Sequence, residues 1–576
     1  MEHHLTTYIT HDTLISALGF GTQENLEAIR SYHSGITLQT DKRIADTPLL
    51  AATISQERLQ QQAEAIGVSG YPRMEQLFIL TINELIRQSG QTLEDKTCGL
   101  ILSTTKGNID LLTRHTEHPD EAVFLWKMAE NIAGYFHAKE RVHVISNACI
   151  SGVSALVTGK RMIENGIYRK VIVAGGDLLS HFITSGFLSF RSLSSRPCRP
   201  YDSNRDGLNL GEACGAVLLS TEKTPNSIIL SGGAISNDAN HISGPSRTGD
   251  GLFFAIRQAM QEAGTALQNI SFVNAHGTAT VYNDEMESKA LTLAHLEQVP
   301  THSLKPYFGH TLGASGIIES IVCMHELKQG ILFGTPGYET PGVPMPIPVY
   351  ATHQHIPMKH CVKTASGFGG CNAAIVLSLP EYAPFKDEDN TLPEIRCTRE
   401  VRIENSSVFI NNELIFHSEE PDFGIFIRDT YKKLGGNNMK FYKMDDLCKL
   451  GYVAAEYLLK DKTFAPLEMG MLLANATSSL HTDIRHQQLI DQDGDRAASP
   501  AVFVYTLPNV VSGEICIRHK IQGENTFFIT KAYQPEKLER YARIVMQKGK
   551  LNYCIIGWCE LLKNTYKAVF KLIEKQ

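Results

Sequence analysis

Cys149 follows the apolar run Val142-His143-Val144-Ile145 and the small residues Ser146-Asn147-Ala148, and precedes Ser151-Gly152-Val153-Ser154-Ala155-Leu156. That order predicts a buried strand, a tight turn and a helix starting at the cysteine. A thiol there sits over unpaired backbone N–H groups at the positive end of a helix, which favours the thiolate. Most cysteines are buried packing residues, so the argument needs basic partners. Two histidine motifs supply them: Val273-Asn274-Ala275-His276-Gly277-Thr278-Ala279-Thr280, and Lys305-Pro306-Tyr307-Phe308-Gly309-His310-Thr311-Leu312-Gly313. Each histidine follows an apolar or aromatic stretch and lies among small residues, where a backbone or ligand can approach closely. One cysteine, two such histidines and a nearby lysine are the equipment of nucleophilic catalysis.

The surrounding elements read as alternating strands and helices. Cys98-Gly99-Leu100-Ile101-Leu102-Ser103 and Val171-Ile172-Val173-Ala174 are strand-like, and Met74 to Arg87 is helical. This predicts an α/β fold with largely buried sheets over the first 380 residues. The stretch from Pro380 to Pro393 carries three prolines and the acidic Asp387, Glu388 and Asp389. It reads as a linker, placed at 381–393.

Beyond the linker, residues 394–576 echo the first part. Lys443 to Leu458 resembles Arg73 to Ile86, and Met469 to Leu473 resembles Cys98 to Leu102. The stretch from Val545-Met546-Gln547-Lys548-Gly549 to Leu562 resembles Met162 to Leu179. A duplicated domain half explains a repeat of such long period better than a solenoid. Setting Ser512-Gly513 against Ser151-Gly152 places Val510 opposite Cys149, so the copy is expected to be catalytically dead. Its Cys516, Cys554 and Cys559 are expected to be packing residues.

Charge excludes some functions. There are 28 basic and 34 acidic residues up to position 380, and 26 and 27 after it, within a net charge of −7. Neither part is basic, which argues against nucleic acid as a partner. The N-terminus shows no secretory signal and no apolar run approaches the ~20 residues of a membrane span. The twelve cysteines form no paired or metal-binding spacing. Reduced thiols in a cytoplasm are expected, with no metal site.

The Cys149, His276 and His310 motifs resemble those of β-ketoacyl-acyl-carrier-protein synthases, the condensing enzymes of the thiolase superfamily. Tyr8 to Ile36, Arg199-Pro200-Tyr201-Asp202, Arg205-Asp206-Gly207 and Gly367-Phe368-Gly369-Gly370 also match, in the family's order. The resemblance covers about residues 8–380. It implies a layered αβαβα fold with two lobes, 1–225 and 226–380, sharing one core, followed by an α/β half-domain at 394–576. It also implies decarboxylative Claisen condensation of an acyl thioester with malonyl-acyl-carrier protein, in fatty-acid or specialised polyketide (aryl polyene-like) synthesis. Cys149 is then the nucleophile. His276 and His310 support decarboxylation and the enolate, as in the elongating Cys-His-His type. Lys305 and Glu319 belong to their network, and the backbone N–H groups of Cys149 and Phe368 form the oxyanion hole. Phe368 and Gly369 lie in the gating loop, and Thr278 and Thr280 hold the phosphopantetheine arm, which arrives on the acyl-carrier protein; no other cofactor is implied. Partners implied are that carrier and a second copy joined through the nucleophile strand as a homodimer, or a heteromeric ketosynthase partner.

One position departs from the family pattern: Ser366 stands where a phenylalanine is usual, so an ordinary fatty-acid preference is not implied. A non-catalytic chain-length or scaffold subunit is the alternative reading, disfavoured because such subunits lose the cysteine. A degradative thiolase would use a second cysteine, for which Cys371 stands, but the paired histidine motifs fit the decarboxylating enzymes better. The half-domain is expected to pack on the enzyme, bind a carrier protein or mimic a chain-length-determining partner.

Overall fold

The computed structural model describes residues 5–112, 119–384, 391–547 and 551–576. One five-stranded motif occurs three times. The first unit contains β1 (Tyr8–Ser16), α1 (Arg73–Ser89), β2 (Cys98–Ser103), β3 (His143–Ile145), α2 (Ser151–Glu164), β4 (Lys170–Asp177), α3 (His181–Ser189) and β5 (Ala213–Ser220). The second contains β6 (Ile228–Asn237), α4 (Asp250–Ala263), β7 (Ile270–Asn274), α5 (Val281–Leu293), β8 (Thr301–His302), α6 (Ser315–Gln329), β9 (His360–Gly367) and β10 (Cys371–Ser378). The third contains β11 (Ile395–Glu404), α7 (Asp446–Leu458), β12 (Met469–Asn475), α8 (Leu480–Asp493), α9 (Val510–His519), β13 (Asn525–Ile529), α10 (Pro535–Gln547), β14 (Tyr553–Leu562) and β15 (Thr565–Lys575).

Sheet order is the same in each unit: β1-β5-β4-β2-β3, then β6-β10-β9-β7-β8, then β11-β15-β14-β12-β13. In each, the last three strands of that order are parallel neighbours, and the second strand runs antiparallel to both strands beside it. The parallel strands are covered on both faces, which is why β2 and β12 read as continuous apolar runs with every residue buried. Helix ends follow local chemistry. Gly90, in the left-handed region at φ 64°, stops α1. The Asp445 side chain accepts the Cys448 N–H to start α7.

The first two units stack as layers. Helices α2 and α6 lie between their sheets, with α1 outside one and α4 outside the other. The two central helices meet at Gly152 and Gly316: a Cβ on Gly316 would lie 2.3 Å from the Val153 nitrogen. Only glycine permits that approach. All fourteen residues of α2 are buried.

The third unit extends the first sheet. Strand β13 pairs antiparallel with β3, Phe528 beside Ile145 and Ile529 beside Val144. The register identifies equivalent residues. Ile101 lies beside His143 and Val173, and Leu472 lies beside Thr526 and Ile556. Each pair is separated by the same length of chain, so the two frames run in step and Phe528 is the counterpart of Ile145. A residue that pairs with its own counterpart marks a local two-fold axis, so this junction has the form of an isologous dimer interface. An edge strand takes one neighbour on that side, so the β3 edge, where the homodimer was expected to join, is occupied within the chain by β13.

The same frame sets Ala532, not Val510, opposite Cys149. The Ser-Gly match that pointed to Val510 was accidental, because Ser512 and Gly513 lie inside α9, ahead of β13. No fourth unit covers α10. It buries Leu538, Tyr541, Ala542, Ile544, Val545 and Met546, and presents Glu536, Lys537, Arg540 and Arg543 to solvent. Among the described residues no single helix is long and apolar enough to cross a membrane. The linker residues Asp387, Glu388 and Asp389, and Lys548 and Gly549 of the repeat, lie outside the described residues.

Candidate active site

The three motifs converge where the first two units meet. The turn after β3 brings Cys149 to the foot of α2, with Ala148 in the left-handed region at φ 49°. Strand β7 delivers His276, and the loop before α6 delivers His310. Cys149 Sγ lies 3.2 Å from His310 Nε2. The His276 and His310 rings are 5.1 Å apart and nearly perpendicular. His310 Nδ1 lies 3.2 Å from Ser315 Oγ. If Nδ1 carries the proton and donates it to Ser315, Nε2 is left to accept from the thiol.

Burial dominates the electrostatics. It lowers both imidazoles well below their ordinary 6.5, and the Lys305 and Lys363 ammoniums add to the effect. Both histidines are therefore neutral at neutral pH. Burial also pushes the Cys149 thiol up to about 12, opposed by Lys305 and by the residue's own backbone N–H. This reverses the sequence expectation of a resting thiolate. Burial thus favours the thiol form against the helix end, and His310 Nε2 is placed to take the proton.

Lys305 bonds Glu319, as the resemblance implies. Sequence reasoning missed the third member: Lys363, on β9, lies 2.6 Å from the other Glu319 oxygen and 2.6 Å from the Thr364 carbonyl. Burial alone would raise the Glu319 pKa; the two ammoniums overcome it and hold the carboxyl below its ordinary value. The signal was a lysine within a strand whose neighbours are apolar or small.

Glu287 was also missed. It accepts the His276 and Gly277 N–H groups, both at 2.7 Å, and the Tyr201 hydroxyl at 2.9 Å, which fixes the His276 turn. Asp177, at the end of β4, accepts from Thr104, Thr105 and Gly313 and is pushed up to about 6 by burial. It joins three loops beneath the site.

A cavity of about 220 Å³ opens onto Cys149, His276 and His310, and Thr278, Thr280, Ser366 and Phe368 also line it. The Thr278 and Thr280 hydroxyls are 2.9 Å apart. A Cβ on Gly367 would lie 3.1 Å from the Cys149 nitrogen, so the Phe368 loop passes directly beside the nucleophile's backbone. The Gly369 N–H donates to the Ile242 carbonyl at 2.6 Å. Ser366 donates to Asn372 at 2.7 Å, which donates to Asp238 at 2.7 Å. Where an aromatic ring is usual, this chain carries a short polar network.

The third unit packs behind the same pocket. Phe503 packs on Phe187 and Phe190, with ring centroids 5.6 and 6.2 Å away, and both of those rings also lie against Phe368. Lys106, deeply buried, lies 2.6 Å from both Asp483 and the Thr506 carbonyl of the third unit. No local sequence signal marks Phe503 or Asp483, because their partners are hundreds of residues away.

Comparison with known proteins fits this geometry. Residues 19–224 match the N-terminal domain of beta-ketoacyl synthases and residues 228–339 the C-terminal domain. The chain belongs to the β-ketoacyl synthase family. It is 31% identical over 251 residues to 3-oxoacyl-[acyl-carrier-protein] synthase 2 of Vibrio cholerae, covering 40% of this chain and 61% of that protein. Against the chloroplastic synthase II of Arabidopsis thaliana it is 29% identical over 259 residues, covering 42% and 47%. The chain thus spans about half to three fifths of the curated relatives it matches. Among solved structures, a ketosynthase in complex with its chain length factor from Xenorhabdus doucetiae aligns with a TM-score of 0.56 at 24% identity, over 65% of this chain and 98% of that one. A keto synthase–chain length factor structure aligns with a TM-score of 0.78 at 14% identity, over 99% of this chain and 78% of that one. At these identities the two show the fold, which is the layered thiolase fold. The second alignment takes in the third unit as well.

Proposed function

We propose that the chain is a β-ketoacyl-acyl-carrier-protein synthase performing decarboxylative Claisen condensation. The observation that carries this is the Cys149–His310 contact of 3.2 Å with His276 alongside, at the floor of one pocket. In the first step the Cys149 sulfur attacks the acyl thioester carbon. His310 Nε2 takes the thiol proton and passes it to the carrier sulfur as the thioester C–S bond breaks, so the carrier leaves as a thiol. Backbone N–H groups of Cys149 and Phe368 face the developing oxyanion. In the second step a malonyl thioester loses CO₂, and the enolate oxygen is held by N–H hydrogen bonds from the two imidazoles, His310 now in the tautomer with its proton on Nε2. The enolate carbon then attacks the Cys149 acyl carbon, the C–S bond breaks, and the departing cysteine thiolate takes up one proton from water by way of His310.

Two neutral imidazoles suit that second step, since each can donate an N–H to the enolate oxygen without ion-pairing the donor's carboxylate in the ground state. Thr278 and Thr280, on the entrance side, are placed to bond the phosphopantetheine arm brought by an acyl-carrier protein, and the reaction requires no metal or further cofactor. The third unit occupies the place of a partner subunit and packs Phe503 behind Phe187 and Phe190, which line the pocket; this supports a chain-length-determining role within one polypeptide. The setting is cytoplasmic synthesis of a fatty-acid, polyketide or polyene chain.

The test is incubation with acyl-acyl-carrier protein and then malonyl-acyl-carrier protein. The expected result is an acyl mass added at Cys149, followed by release of CO₂ and a β-ketoacyl product. Absence of any adduct across short, medium and long acyl chains would refute the reading.

A further inference from the structure

Two backbone segments carry the oxyanion donors of the proposed reaction, and the third unit is bonded to both. On the nucleophile side, Asn147 stands two residues before Cys149. Its Nδ2 donates to the Asn525 carbonyl at 2.9 Å, and its Oδ1 accepts the Phe527 N–H at 3.1 Å. The Ser146 N–H donates to the Phe527 carbonyl at 3.1 Å. The turn containing the left-handed Ala148 is thus tied to β13 on one side. On the other it is tied to α2, through the Asn147 N–H and Ser151 Oγ at 2.8 Å.

On the loop side, Asn509 is 2% exposed and donates from Nδ2 to the Phe368 carbonyl at 2.8 Å. Its amide also lies 3.6 Å from Cys371 Sγ. One helical turn further on, Gly513 lies against Gly369: a Cβ there would meet the Gly369 carbonyl oxygen at 2.6 Å. Helix α9 therefore sits on the Phe368 loop at van der Waals distance, with Asn509 as its polar contact. An oxyanion hole works only when its donors are fixed before charge develops, and a loop between two glycines does not fix itself.

We infer that the third unit assembles the oxyanion hole from outside, with Asn509 the positioning residue for the Phe368 peptide and β13 the support for the Cys149 turn. This rests on the condensing reading above. It gives residues 394–576 a part in the chemical step, separate from any effect of Phe503 on acyl length.

The two half-reactions separate this from a role in stability alone. Acyl transfer to Cys149 uses the oxyanion hole, whereas malonyl decarboxylation uses the imidazole pair. In the full-length Asn509→Leu protein, acylation of Cys149 by acyl-acyl-carrier protein, followed by rapid quench and intact mass, is expected to slow about tenfold to hundredfold. Its half-saturating donor concentration and the rate of CO₂ release from malonyl-acyl-carrier protein are expected to stay near those of the unaltered protein. Asn509→Ser keeps a donor of shorter reach and should recover part of the loss; it also serves if the leucine variant does not fold. Wild-type acylation rates in both variants would overturn the inference, as would equal slowing of both half-reactions. No adduct at all in the unaltered protein would instead refute the condensing reading, and this inference with it.

Discussion

The turn after β3 and the turn after β13 occupy equivalent places in one motif, related by a local two-fold axis at opposite ends of the paired strands, yet only one is built for chemistry. The first ends in Cys149, with Ala148 in the left-handed region and a helix buried all round behind it. The second passes through Thr530-Lys531-Ala532 to Pro535, and its helix shows a charged face to water. What separates them is their surroundings more than their own geometry. The first turn has a second sheet above it that supplies two imidazoles, two ammoniums and a carboxylate. Among the described residues no such sheet stands above the second turn, and no imidazole or ammonium pair is brought to it. The comparison teaches that the motif supplies a position, while the stacked unit supplies reactivity.

The largest expected effect tests this directly. Cys149→Ala should remove the acyl adduct and lower condensation by at least about 10³-fold. Ala532→Cys, a thiol in the equivalent place, should acquire no adduct from the same carrier in an intact-mass assay. Acylation of that new cysteine would break the comparison.

Removing the third unit comes next. Truncation after Pro380 uncovers the β3 edge and the apolar faces beside it, and an unpaired edge seeks a partner. The truncated protein should self-associate, with light scattering giving at least twice the monomer mass. A stable monomer with full condensation activity would show that the third unit is dispensable.

Lys363→Met takes one of two ammoniums from Glu319 and leaves a buried carboxylate half-compensated, a cost of about 3–5 kcal/mol. It should also change the pH profile. The histidines are held below 6.5 by burial, aided by Lys305 and Lys363. Their neutral form, and the stability it brings, is present above that value and is lost as pH falls through the lowered folded-state pKa values. Without Lys363 those values rise, so the acid limb of kcat/KM should move up in pH. An unmoved limb would remove Lys363 from the network.

Phe503→Ala should cost about 3 kcal/mol by leaving a cavity among aromatic rings. Product analysis by mass spectrometry should show longer acyl chains accepted. The smallest effect belongs to Arg543→Ala on the watered face of α10, expected within about 0.5 kcal/mol by thermal melt. A large loss there would mean that something covers α10 in solution.

Cys149, His276, His310, Lys305 and Glu319 could be read in the sequence because each sits inside a local pattern of strand, small residues and turn, and the structure brings them together. The repeat was legible for the same reason: periodic burial leaves its mark on every copy. The counterpart of Cys149 was not. A two-residue Ser-Gly match carried less information than the strand register, and only hydrogen-bonded strands showed that Ala532 holds the place.

By itself the sequence determined which residues could react and that a motif recurs, since both are written in short-range spacing. Tertiary structure alone decided three things. Burial raises the Cys149 thiol against the pull of the helix end. Lys363 and Glu287 complete the site, because folding brings β9 and α5 beside it. The third unit fills the nucleophile strand's edge and holds the Phe368 loop, because contacts across hundreds of residues leave no local trace.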